Sequence, residues 1–185
     1  MENRRGHMKN ELAESLRQLM LRSLFEKITI RQICERAGVI RATFYNYFDD
    51  KYDCLDWIVY HDMVEKNEDR INMNGMDSPV YDVLETIAEN RAFYRAAYNV
   101  IGQNSFEDMI RGNLAKLLKL FFDRYRKPSY LPSYDNELLA AYYANGLAFC
   151  VRQFVFEKEG CTSVESTRRM ISSLMKNSFY DYLQQ

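Results

Sequence analysis

Residues 29–51 read TIRQICERAGVIRATFYNYFDDK, and this stretch decides the fold. Thr29 and Gln32 have the spacing of a capping box: the hydroxyl takes one free amide of a new helix, and the glutamine side chain reaches back to another. Ile28, just before the cap, and Ile33, four residues into the helix, supply the two halves of a hydrophobic staple. Ile30, Ile33, Cys34 and Ala37 then share one helical face, leaving Arg31, Gln32, Glu35 and Arg36 mostly outside. Gly38 follows, a residue that enters a left-handed turn without steric cost. A second helix is expected over Arg41–Phe48, with Asp49 or Asp50 capping the next one. Two short helices joined by a glycine-containing turn of this length form a helix-turn-helix, a motif that seats its second helix in the DNA major groove.

The longer run AGVIRATFYNYFDDKYDCL resembles the signature of the TetR family of bacterial transcription regulators. The matching positions are Thr29, Ala37, Gly38, Val39, Thr43, Tyr45, Phe48, Lys51 and Leu55, and the likeness covers roughly residues 10–60. Many members carry Ser where this chain has Ile40, which cannot cap a helix with its side chain. The resemblance implies base reading by Arg31, Arg41 and Ala42. It implies phosphate contacts from Thr29, Thr43, Tyr45, Tyr47 and Lys51, with Asn46 suited to either role. Phe44 and Phe48 are expected in the core of this DNA-binding head.

Outward from the motif, the 185 residues allow one domain or two small ones. The chain is 47% hydrophobic and 28% charged, with only 7 Gly and 3 Pro, a balance that favours an all-α fold. No apolar run reaches the roughly 18–20 residues that cross a bilayer. MENRRGHMKN at the start lacks the apolar core of a signal peptide. Cys34, Cys54, Cys150 and Cys161 form no C-x-x-C pair, which fits free thiols in a reducing cytoplasm. Net charge is −1, yet the chain through Lys51 holds 10 Lys and Arg against 7 Asp and Glu. The head is therefore basic and the remainder acidic, as expected when a few placed cations bind phosphate.

About nine helices are expected. The first spans Lys9–Lys27, with Leu12, Leu16, Leu19, Met20, Leu24 and Phe25 as its apolar stripe; Arg4 and Arg5 precede it in a solvated tail. A fourth helix runs from Lys51 to about Arg70 with Leu55, Ile58, Val59, Met63 and Trp57 turned inward. Asn72–Ser78 breaks the pattern, and Ser78–Pro79 opens a fifth helix over 79–90. A sixth covers Arg91–Val100, and Ser105 caps a long seventh. Lys127–Ser133, with Pro128 and Pro132, reads as a loop. An eighth helix spans Asp135–Glu159 with Gly146 at its middle, and Thr162 with Glu165 forms a capping box for a last helix to about Leu183. The division is a DNA-binding domain over 1–51, with the start of helix four, and a dimerising, effector-sensing domain over 52–185.

Helices this apolar on more than one face need a partner surface, and the family resemblance implies a dimer built on the last two helices. Gly146, Gln153, Met170, Leu174 and Phe179 are the interface candidates, and the resulting homodimer is expected to read a near-palindromic operator. Aromatic residues crowd the body, so a small apolar effector is expected among Phe93, Tyr94, Tyr98, Phe121, Tyr125, Tyr142, Asn145 and Phe149. The segments ENRAFYRAAY and YYANGLAFCVRQFVFEKEGCTSVE also resemble the C-terminal domain of the family subgroup that includes a dihydroxyacetone kinase operon activator. That likeness implies control by a protein partner as the alternative to a small molecule. Repression released by an effector is the primary expectation. No cofactor, metal site or enzymatic role is expected: His7 and His61 have no nucleophile pattern beside them, Cys54 and His61 lie two helical turns apart, and no phosphate-cradling or dinucleotide glycine motif occurs.

Overall fold

The computed structural model describes residues 2–69, 77–126, 135–157, 163–177 and 181. Among these residues it contains nine α-helices and no strand. They are α1 (Glu2–Met20), α2 (Ile30–Ala37), α3 (Arg41–Tyr45), α4 (Lys51–Met63), α5 (Asp77–Glu89), α6 (Arg91–Ala97), α7 (Phe106–Tyr125), α8 (Asn136–Phe156) and α9 (Val164–Lys176). Short 3-10 turns occupy Phe25–Lys27 and Glu65–Asn67.

The helices fall into two compact units. One holds the chain up to His61 together with Arg91–Ile110, and the other holds Asp62–Asn90 with the chain from Arg111 onward. In the first, α1 packs on α2 and on α6, and α2 packs on α3. Leu12 and Leu16 are fully buried, as are Ile33, Phe44, Leu55 and Ile58, so the apolar stripes read from periodicity are the core of this unit. Lys9 lays its ammonium 4.8 Å from the Trp57 ring centroid and 5.3 Å from that of Phe48, tying α1 to α4 by cation–π attraction. In the second unit α9 packs on α5 and α8, and α5 packs on α8.

Several boundaries differ from expectation. The first helix starts at Glu2, so Arg4 and Arg5 lie on it rather than in a tail; residues 2–10 hold a single large apolar residue, Met8, and so no periodicity to mark them. It stops at Met20, and Phe25–Lys27 forms a separate 3-10 turn where one continuous helix to Lys27 is expected. Leu24 is accordingly exposed instead of stacking in the stripe. The recognition helix ends at Tyr45, and the chain continues as a turn in which Tyr47 and Phe48 amides donate to the Phe44 carbonyl at 2.9 and 3.0 Å. Helix α4 ends at Met63, and α5 begins at Asp77, placing Ser78 inside its first turn. The cap of the last helix is Ser163 with Ser166 as its reciprocal partner, one register later than Thr162 with Glu165. Thr162, Phe179, the 127–133 loop and most of the 72–78 break lie outside the described residues.

Candidate nucleic-acid interface

The helix-turn-helix is built by local chemistry. The Thr29 amide donates to Gln32 Oε1 at 2.8 Å, and the Gln32 amide donates to Thr29 Oγ1 at 3.3 Å, so both halves of the capping box are made. Ile28 and Ile33 are both buried, as a staple requires. Gly38 sits in the left-handed region at φ 68°, ψ 30°, and its turn lets the Val39 amide donate to the Cys34 carbonyl at 2.9 Å. A β-carbon there meets strain whatever the space around it. Ile40 then enters α3 in an extended conformation with no side-chain cap, and Thr43 donates its amide to the Ile40 carbonyl at 2.9 Å.

The residues expected to face DNA separate into those still free to do so and those already engaged. Arg31, Arg41, Ala42, Tyr45 and Asn46 are exposed, while Thr43 and Tyr47 are half-buried. Arg31 Nε donates to Glu35 Oε1 at 2.6 Å, and this contact raises the Arg31 pKa. Arg41 Nη2 donates to Tyr45 Oη at 3.0 Å, leaving the other guanidinium protons outward and the tyrosine its own proton to give. Thr29, by contrast, spends its hydroxyl proton on Gln32 Oε1 at 2.9 Å.

Lys51 is placed differently from expectation. Its ammonium donates to the carbonyls of Phe25 at 2.8 Å, Ile28 at 3.0 Å and Glu26 at 3.1 Å. A lysine has three protons to give, and each has a carbonyl here. The ammonium also lies 4.6 Å from the Phe25 ring centroid. Partial burial lowers its pKa, opposed by the charges of Glu26 and Asp50. Lys51 thus pins the α1–α2 connection to the start of α4. The amino end of α4 is satisfied by Asp50, whose Oδ1 accepts from the amides of Tyr52 at 2.7 Å and Asp53 at 2.8 Å. No run of sequence shows the lysine contacts, because they join residues 23 to 26 positions apart.

Of the eight effector candidates, Phe93, Tyr94 and Tyr98 belong to the first unit and the other five to the second. Phe93 and Tyr94 are buried beside Phe106 in the first unit, where the Tyr98 and Phe106 rings meet at 5.1 Å. In the second unit the Phe121 and Tyr125 rings lie 5.1 Å apart, tilted by 39°, whereas Tyr142 is 72% and Phe149 61% exposed. The second unit holds a partly open apolar cavity of about 20 Å³, lined by Val80, Val83, Leu84, Leu114, Leu117, Leu118, Leu147, Val151 and Ile171. That volume holds about one water, and none of the eight candidates lines it. A crowd of aromatic residues in the sequence cannot separate one that fills a core from one that stands on a surface.

Tyr142 and Asn145 instead line an open groove of about 480 Å³ with Tyr143, Gly146, Leu147, Cys150, Ile171 and Leu174. A β-carbon on Gly146 meets nothing within 4 Å. Leu138, Phe149, Met170 and Leu174 are exposed on the same two helices, and Gln153 is also exposed. Thiols at Cys34, Cys54 and Cys150 are buried, and burial raises each pKa, so none is an activated nucleophile. No group of three or more His, Cys, Asp or Glu side chains that could hold a metal ion occurs among the described residues. No helix among them is long and apolar enough to cross a membrane.

Residues 17–57 match the family model described as bacterial regulatory proteins, tetR family, and residues 76–177 match one described as transcriptional regulator C-terminal region. The chain is 28% identical over 146 residues to the HTH-type dhaKLM operon transcriptional activator DhaS of Lactococcus lactis, covering 78% of this chain and 77% of that protein. A solved structure of a dihydroxyacetone kinase operon activator DhaS superposes with a TM-score of 0.63 at 22% identity, covering 91% and 92% of the two chains. One of a putative TetR-family transcriptional regulator from Syntrophomonas wolfei gives 0.61 at 16% identity over 92% and 94%. At these identities the superpositions speak for the fold.

Proposed function

Because this chain belongs to the TetR family of DNA-binding transcription regulators, we propose that it is a homodimeric regulator that reads a near-palindromic operator with α3 and represses by covering a promoter. The observation that carries the reading is the capped, αL-turned helix pair that leaves Arg41 and Ala42 exposed at the start of α3. Arg41 reads a guanine edge through two hydrogen bonds, a contact worth about 1–3 kcal/mol of discrimination. Arg31, Ala42 and Asn46 flank it, and Thr43, Tyr45 and Tyr47 hold phosphates.

One five-residue recognition helix inspects only a few base pairs, so two copies are needed for specificity. The exposed apolar residues of α8 and α9 around Gly146 supply the pairing surface. The family is one of regulators rather than enzymes, and a protein of this kind acts on DNA in the cytoplasm.

For the input signal, a small apolar effector seated between Val80, Leu114 and Ile171 requires that this roughly one-water cavity open on binding. The second reading, activation or co-regulation through a protein partner, draws support from that small cavity and from the activator named among the relatives. Selection of bound duplexes from random DNA, repeated with Arg41→Ala, tests the central reading. Loss of base preference at one position supports it. Uniform weakening across all sequences makes Arg41 a phosphate contact and overturns the assignment.

A further inference from the structure

Ile40 is 72% exposed, one of the largest apolar exposures among the described residues, and it stands at the turn into the recognition helix. The position is one where Ser, Thr, Asp or Asn ordinarily accepts a free helix amide. Ile40 has no such bond, and Ser or Asn there stabilises a helix start more than an aliphatic residue does. Packing does not compensate, because the side chain is largely in solvent, while Val39 is half-buried and Phe44 is fully buried. The residue next to it in sequence is Arg41, followed by Ala42, both exposed.

In a helix-turn-helix the first residues of the second helix meet base edges. A branched aliphatic side chain finds one complementary feature on those edges, the 5-methyl group of thymine. We propose that Ile40 is a specificity-determining residue that buries a thymine methyl in the major groove, within about one or two base pairs of the guanine read by Arg41. This rests on the DNA-reading role proposed above. No charge at the amino end of α3 is involved: the contact is between an aliphatic side chain and a methyl group, and water leaves both. The half-site is therefore expected to join a guanine to a nearby thymine, with Arg41 reading hydrogen-bond acceptors and Ile40 reading shape and apolarity.

The test uses the full-length protein and the duplex it selects from random DNA. Each thymine is replaced in turn by deoxyuridine, which removes the methyl and leaves every hydrogen bond. At one thymine per half-site, wild-type protein is expected to bind about fourfold more weakly, and about fifteenfold when both half-sites are changed, as one methyl transfer per site implies. Ile40→Val retains this sensitivity. Ile40→Ser binds the thymine and uracil duplexes equally, and its melting temperature is not lowered, because serine restores a cap. A wild type indifferent to uracil at every thymine overturns the assignment, as does an Ile40→Ser variant that stays fully sensitive, which gives the methyl to another residue. A wild type that selects no sequence at all removes the DNA-reading role and this inference with it, an outcome distinct from selection without methyl dependence.

Discussion

Arg41 and Tyr45, one turn apart on α3, are joined by a hydrogen bond of 3.0 Å from Nη2 to the phenol oxygen, with the guanidinium 5.8 Å from the ring centroid. A free arginine loses side-chain entropy when it docks on a base, and a partner that already fixes the guanidinium plane reduces that loss. Tyr45 accepts from Arg41 and keeps its own proton to give, so in the proposed complex a phosphate contact and base reading would be coupled through one oxygen.

Tyr45→Phe is accordingly expected to leave stability within about 0.5 kcal/mol, since Tyr45 is exposed. It is expected to lower discrimination between the selected site and a guanine-substituted site by about 1 kcal/mol, a part of what a bidentate pair supplies. Paired binding titrations on the two duplexes measure this. If the variant weakens both duplexes by the same factor, the phenol contacts phosphate alone.

Lys51 leads to a different expectation. Its three carbonyl bonds make it a brace between the α1–α2 connection and α4. Lys51→Met is expected to lower stability by about 2 kcal/mol, the scale of a charge-assisted hydrogen bond within a group that does not act additively. The slope of log affinity against log salt is expected to stay unchanged. Each neutralised phosphate contributes about 0.9 to that slope, so a decrease of about 1 per head would return Lys51 to the phosphate-contacting set.

These two residues also mark what the sequence discloses and what it hides. The capping box at Thr29 and Gln32, the αL glycine and the buried faces of α1, α2 and α4 follow from rules acting within about four residues, and all are legible in order along the chain. The place of Lys51 in the motif suits an anion, while the carbonyls that hold its ammonium come from distant positions and leave no local trace. Thr162–Glu165 and Ser163–Ser166 both have the spacing for the cap of α9, and spacing alone does not choose the second pair, which the helix uses. Glu165 is instead drawn to Arg168 at 2.8 Å and Arg169 at 2.7 Å. The aromatic residues grouped as a pocket show the same limit, since Tyr94 is wholly buried and Tyr142 mostly exposed at similar helical spacing. Ile40 gives a signal in the sequence, an aliphatic residue where a cap belongs, but its exposure emerges only in three dimensions.

The Glu165 pair gives a pH dependence whose sign is fixed. Hydrogen bonds from Arg168 and then Arg169 hold its carboxyl down at about 2, below the ordinary 4.5. A carboxylate with a depressed folded-state pKa contributes stability that is present above its unfolded value and is lost as pH falls through the folded one. The difference in urea midpoint between wild type and Glu165→Gln is therefore expected to be constant at neutral pH and to shrink as pH drops from about 4.5 toward 2. Glu165 and Arg169 are open to solvent and Arg168 only partly covered, so screening keeps the difference small throughout. A difference that grows on acidification would contradict the assignment.

Gly146 offers the sharpest test of the dimer. It lies within the long α8, where glycine costs about 1 kcal/mol relative to alanine, and inside one copy of the chain nothing comes within 4 Å of an added β-carbon. Within a monomer, therefore, a side chain at this position has free space and the helix gains stability from it. If a second copy crosses here, its helix occupies the groove that Gly146 shares with Tyr142, Cys150 and Leu174, and a bulky residue obstructs the approach. Gly146→Leu is expected to keep full helical content by circular dichroism while sedimenting as a monomer at micromolar concentration. Its affinity for a palindromic duplex is expected to fall toward that for a single half-site, since the two heads no longer bind as one unit. A Gly146→Leu protein that remains dimeric with wild-type affinity for the palindrome would move the interface away from the groove, and a wild type that sediments as a monomer would remove the dimer itself.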